Sequence, residues 1–170
     1  MKPLGALGIL VVLFLLVSGC TNLPVQRSYT NHQYGFSLDP PVGWLVDENA
    51  TEEVAVRFSS PTSENKTLTV SPPYNLDEGL ALSIYADQLE ENAPLLYEDF
   101  IRVSRGWLTM EGFSGYEIVY VYLFDNMTYE ARQVALKRSH TVFLLTYSSP
   151  VEGYDSSLAS VNQSIASFTL

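Results

Sequence analysis

Residues 34–38 alternate between large apolar and small side chains, Tyr34-Gly35-Phe36-Ser37-Leu38, and stop at Pro40-Pro41, which reads as a strand ended by proline. Val54, Val56 and Phe58 alternate with Ala55 and Arg57. Pro61-Thr62-Ser63-Glu64-Asn65 then turns the chain into a second short strand at 67–70, closed by Pro72-Pro73. The period changes over residues 77–91. Ala81, Leu82, Ile84, Tyr85 and Leu89 cover one side of a helix, while Ser83, Asp87 and Glu90 occupy the other. Asn75 or Asp77 is placed to cap this helix, and Pro94 lies just past its expected end. A meander follows: strands at 100–104 with 107–110, at 116–124, at 129–138 and at 141–149. Its turns are Glu111-Gly112, Asp125-Asn126 and Ser139-His140. A second helix, over residues 155–167, brings Leu158, Val161, Ile165 and Phe168 to one narrow stripe.

Two strands decide the architecture. Over residues 116–124 one face is Tyr116, Ile118, Tyr120, Tyr122 and Phe124, and the other carries Val119, Val121 and Leu123 with Glu117. Residues 141–147 are apolar on both faces as well. A strand with two apolar faces needs cover on both sides, so the expected fold is α+β: an α/β/α sandwich on a central, mainly antiparallel sheet.

The start of the chain follows a different logic. Lys2 precedes an uncharged, almost wholly apolar run at residues 4–17, which as a helix would be ~21 Å long, short of a ~30 Å hydrocarbon core. That length suits the core of an export signal. Val17-Ser18-Gly19-Cys20 ends the run and resembles the lipobox of prokaryotic lipoproteins. The resemblance implies a diacylglyceryl thioether on Cys20, cleavage before it, and a membrane held through lipid. Residues 1–19 are thus expected to be a signal peptide, 20–30 a lipid-anchored tether, and 31–170 the folded domain.

Composition narrows the partners. The chain has 170 residues, 46% of them hydrophobic, enough for a core, with 19 acids against 9 bases for a net charge of -10. Losing residues 1–19 removes Lys2 and no acid, so -10 becomes -11. A polyanion repels phosphate backbones, which excludes nucleic acid as a partner. One cysteine excludes an internal disulfide and a thiolate metal cluster. Four N-x-[ST] sequons place possible glycans on Asn49, Asn65, Asn126 and Asn162. A lipobox with sequons suits an archaeal surface protein better than a bacterial one.

Three local patterns look familiar. Tyr34-Gly35-Phe36-Ser37 with Pro40-Pro41 and Trp44 resembles the opening strand and turn of PsbP-like proteins. Leu145-Thr146-Tyr147-Ser148-Ser149-Pro150 with Tyr154 is similar to their last strand and its exit, and residues 162–168 to their C-terminal helix. The resemblance spans residues 30–170 and implies the α/β/α sandwich. The family includes an extrinsic photosystem subunit that helps retain calcium and chloride, but no metal motif of that subunit matches here. The resemblance therefore carries fold and not activity.

Catalytic signatures fail on inspection. Ser63-Glu64-Asn65-Lys66 fits S-x-x-K, but Lys66-Thr67-Leu68 lacks the glycine of K-T-G. Gly112-Phe113-Ser114-Gly115-Tyr116 has tyrosine where a nucleophile elbow needs glycine, and the histidines, His32 and His140, read as surface residues. Asp47, Glu48, Glu52 and Glu53 gather four carboxylates after Trp44, a candidate for weak calcium binding without the spacing of an EF-hand. Tyr116, Tyr120 and Tyr122 read as core instead of a ligand groove. The expectation is a non-catalytic, monomeric binding or accessory component of a membrane-associated assembly. It is anchored through Cys20 and meets a membrane or surface protein. The alternatives are a hydrolase with an unrecognised site and a weak calcium-binding module.

Overall fold

The computed structural model describes residues 28–49, 51–62, 65–76 and 81–170. The expected signal peptide, Cys20 and most of the tether lie outside the described residues, as do Ser63 of the S-x-x-K pattern and residues 77–80 of the first expected helix. Among the described residues no helix is long and apolar enough to cross a membrane.

The first described strands are β1 (Tyr29–Asn31) and β2 (Phe36–Leu38), a small antiparallel pair. Next come β3 (Leu45–Asp47), β4 (Val56–Ser59), β5 (Thr67–Val70) and the two-residue β6 (Tyr74–Asn75). Helix α1 (Leu82–Leu96) leads into β7 (Glu98–Met110), β8 (Phe113–Phe124), β9 (Met127–Arg138) and β10 (Thr141–Pro150). A short 3-10 turn, Val151–Gly153, delivers the chain into α2 (Tyr154–Ala166). The main sheet runs β3-β4-β5-β10-β9-β8-β7, with β6 also on β10, and all its pairings are antiparallel.

The three meander turns fall where the sequence places them. Asp125 and Asn126 have φ of 50° and 60° between the paired Phe124 and Met127, the two-residue hairpin that tolerates such residues. Gly115 has no such torsional role. It lies in β8, where a Cβ would come within 2.9 Å of the Leu108 carbonyl oxygen, so only glycine lets β7 and β8 approach there.

Helices cover the two faces of the sheet. On one, Val161, Ile165 and Phe168 are buried against Phe58, Leu68, Val134, Phe143, Leu145 and Tyr147, with Leu158 partly buried at the margin. The Phe168 ring lies 5.4 Å from Phe36 and 5.2 Å from Phe143. On the other face, Leu82 and Ala86 of α1 meet Tyr116, Ile118, Tyr120, Ala131, Ala135 and Val142. This is the expected α/β/α sandwich on an antiparallel sheet.

Four local readings need correction. Helix α1 passes through Pro94 and ends at Leu96. Proline denies Glu90 a helical N–H, but fully buried Ala93 pins this last turn and its carbonyl accepts from Tyr97 N at 2.9 Å. Asn75 pairs with Thr141 in β6 and does not cap a helix. Ile84, expected on the buried side, is 41% exposed. Residues 100–104 and 107–110 belong to one strand, β7. Irregular pairing between Glu98 and Ile101 and between Arg102 and Ser104 breaks the alternation that periodicity relies on.

Candidate functional site

A cleft of about 340 Å³ opens between α2 and the part of the sheet it does not cover. Register builds its floor. Tyr147, Arg132 and Val119 are neighbours across β10, β9 and β8, so Arg132 projects from the α2 face beside Val119. Glu117 and Glu130 lie two residues from Val119 and Arg132 along their strands and share that face. Helical spacing builds the wall: Asp155, Leu158 and Asn162 recur at i, i+3 and i+7 along the flank of α2.

Arg132 is held from both layers. Its Nε and Nη2 donate to Glu117 Oε2 at 2.9 and 2.7 Å, and its Nη1 donates to Asn162 Oδ1. The side chains of Arg132 and Glu117 are 14% and 28% exposed, so this ion pair is partly withdrawn from water, where such a contact fixes geometry more firmly than on an open surface. Glu130 lies on the same floor. Partial burial, and then the charge of Asp155, raise its carboxyl above the ordinary value.

Tyr154 starts the wall and is only 4% exposed. Its ring stacks on Tyr147 at 5.0 Å, and its carbonyl accepts from the Tyr147 hydroxyl at 2.8 Å. Burial, followed by the negative charge of Glu130, pushes the Tyr154 phenol well above the usual range, so it stays neutral. The first turn of α2 is braced from behind. Buried Lys66, just after the β4–β5 turn, donates from Nζ to Ser156 Oγ at 2.8 Å, and its stem lies so close to Gly153 that a Cβ there would come within 2.7 Å.

The residues singled out from sequence lie mostly elsewhere. Asp47 belongs to β3, not to a loop, where it pairs with Arg57 in the ladder and its Oδ1 accepts from Asn49 N at 2.9 Å. Glu48 accepts from the Tyr29 hydroxyl at 2.8 Å. Burial, then this bond, push that phenol up to about 12. Glu48 and Glu52 line a separate, open hollow of about 380 Å³, and among the described residues no three carboxylates, histidines or cysteines gather as a metal site. Of the sequon asparagines, Asn65 and Asn126 adopt positive φ at turns and Asn49 is exposed after β3. Asn162 lies in α2 and is engaged by Arg132. Ser114 is the second residue of β8, paired with Lys137 and Thr109, not on a strand-to-helix turn. His32 and His140 are exposed at the β1–β2 and β9–β10 turns. Tyr116 and Tyr120 are buried under α1, and Tyr122 stands 4.5 Å from Tyr97. They are core.

Comparison with solved structures gives a consistent picture of the fold. Cyanobacterial PsbP (CyanoP) from Synechocystis superposes with a TM-score of 0.61 at 15% identity, covering 91% of this chain and 98% of its own. LpqN of Mycobacterium tuberculosis, described as involved in cell envelope biogenesis, gives 0.59 at 12% identity, covering 84% of this chain and 88% of its own. The Saccharomyces cerevisiae Ran-binding protein Mog1p gives 0.59 at 7% identity, covering 84% and 94%. At these identities the likeness is one of fold. No protein-family model and no curated protein sequence matches the chain.

Proposed function

We propose that this protein is a non-catalytic accessory domain, held on the outer side of a membrane by lipid on Cys20, which works by binding a membrane or surface protein at the α2 cleft. The observation that carries the reading is the construction of that cleft. Its polar groups come from two layers and are fixed in advance, Arg132 by Glu117 and Asn162, beside the apolar side chains of Val119 and Leu158. The fold shared with CyanoP and with LpqN, a protein involved in cell envelope biogenesis, supports this reading. The test is crosslinking in native membranes, comparing the wild type with Leu158→Arg, which places a bulky charge at the cleft margin. A crosslinked partner should be recovered with the wild type and lost with the folded variant. A partner retained equally by both would refute the cleft as the binding surface.

A further inference from the structure

Resting on that reading, we propose that the cleft takes an organic cation, specifically the ammonium or guanidinium head of a lysine or arginine side chain presented by the partner. The charges around the cleft are unevenly matched. Arg132 already serves Glu117 and Asn162, whereas Glu130 and Asp155 have no cation and no hydrogen-bond donor among the described residues. Glu130 is half-buried and feels the charge of exposed Asp155 at the cleft rim, so a cation seated between them relieves the repulsion on Glu130.

A second, independent feature points to the same ligand. Tyr154 is 4% exposed and lines the cleft, and its hydroxyl has no partner among the described residues. The ring is enclosed while the hydroxyl oxygen keeps solvent contact, so a ligand entering the cleft can reach it. Neutral and facing the charges of Glu130, Glu117 and Arg132, its oxygen can accept an N–H from a bound cation. Val119 and Leu158 suit the methylene stem that lysine and arginine share. An anionic ligand would meet three carboxylates with only one, already engaged, guanidinium to hold it.

The test uses the full-length chain in detergent micelles, titrated calorimetrically with n-butylguanidine and, as its uncharged isostere, n-butylurea. Saturable binding of butylguanidine and none of butylurea is expected. Binding should fall roughly tenfold or more in Glu130→Gln/Asp155→Asn, and by a smaller factor in Tyr154→Phe, which keeps the ring stack. Asp47→Asn, on the far edge of the sheet, should leave it unchanged. Equal binding of the two probes would show that charge is not what the cleft recognises, and equal loss in Asp47→Asn that the attraction is diffuse; either result overturns the inference. Native-membrane crosslinking separates this inference from the reading beneath it. A partner lost on Leu158→Arg but indifferent to Glu130→Gln/Asp155→Asn would defeat the cation and leave the accessory function standing. Butylguanidine binding with no cleft-dependent partner would defeat the accessory function and leave a cation pocket.

Discussion

Glu130 illustrates how one side chain on the sheet sets a pH dependence for the whole fold. Burial and the neighbouring Asp155 raise its carboxyl above the ordinary value of 4.5. The folded chain therefore holds this proton to a higher pH than the unfolded chain does. Its contribution to stability falls as pH rises from the ordinary value through the raised one, and the cost is fully present above that window. Glu130→Gln removes the cost. Thermal melts across the acid-to-neutral range should show the variant at least as stable as the wild type near neutrality, with a flatter profile through the carboxylate range. A clearly lower neutral melting point would mean that the carboxylate is held by a favourable contact instead. None of this was legible in the sequence, because Glu117, Arg132, Asp155 and Asn162 meet only through strand register and helical spacing. The available signal was a lone charge on an otherwise apolar strand face, Glu117 in β8. Read one strand at a time, such a charge looks like an edge residue.

Helix α2 was easier to foresee than α1, and packing explains the difference. Its Val161 and Ile165 are buried as periodicity requires, and Phe168, expected at the next position of the stripe, is buried just beyond the helix end at Ala166. Truncating a ring enclosed by Phe36, Phe113 and Phe143 leaves a cavity that neighbouring rings cannot refill. Phe168→Ala should therefore cost ~3–5 kcal/mol by denaturant titration, and Leu158→Ala, at the open margin, distinctly less. Equal losses would show that the margin is as enclosed as the core. In α1 the same periodicity was present, but Leu95 and Leu96 are 82% and 70% exposed, and the burial of small Ala86 and Ala93 decides how the helix lies. Apolar content marked the helix; its length and orientation came from tertiary contacts. The sandwich itself was readable because strands with two apolar faces cannot be left open on either side.

The molecule as a whole is an acid, with a net charge of -10. Its acidic residues are spread over the hollow by Glu48, the α2 cleft and the α1–β7 border, and no cluster among the described residues is built for a metal. Calcium titrated at physiological ionic strength should show no saturable site tighter than about millimolar, the weak end for extracellular modules. One-equivalent binding abolished by Glu52→Gln would reverse that expectation. On the anchoring proposal, attachment rests on a single atom, the Cys20 sulfur. Cys20→Ser should abolish lipidation and release the protein from membranes, which mass spectrometry of the native N-terminus checks directly. An unmodified Cys20 would end the anchoring proposal.

Lipid anchoring would confine many copies of this domain to two dimensions, where edges of neighbouring sheets meet often. Strand β7 is the hazard: 13 residues long, with Ile101 and Val103 63% and 57% exposed. Left straight, it would be a template on which another copy could add its own strand. The two irregularities near Glu98 and Ser104 break the run of backbone donors and acceptors. Arg102 and Arg105, tied back to Glu90 and Asp87, put charge along the same border. The lapses in register that obscured β7 in the sequence thus guard against fibre-like growth, and crowding on a surface can be tolerated without polymerisation.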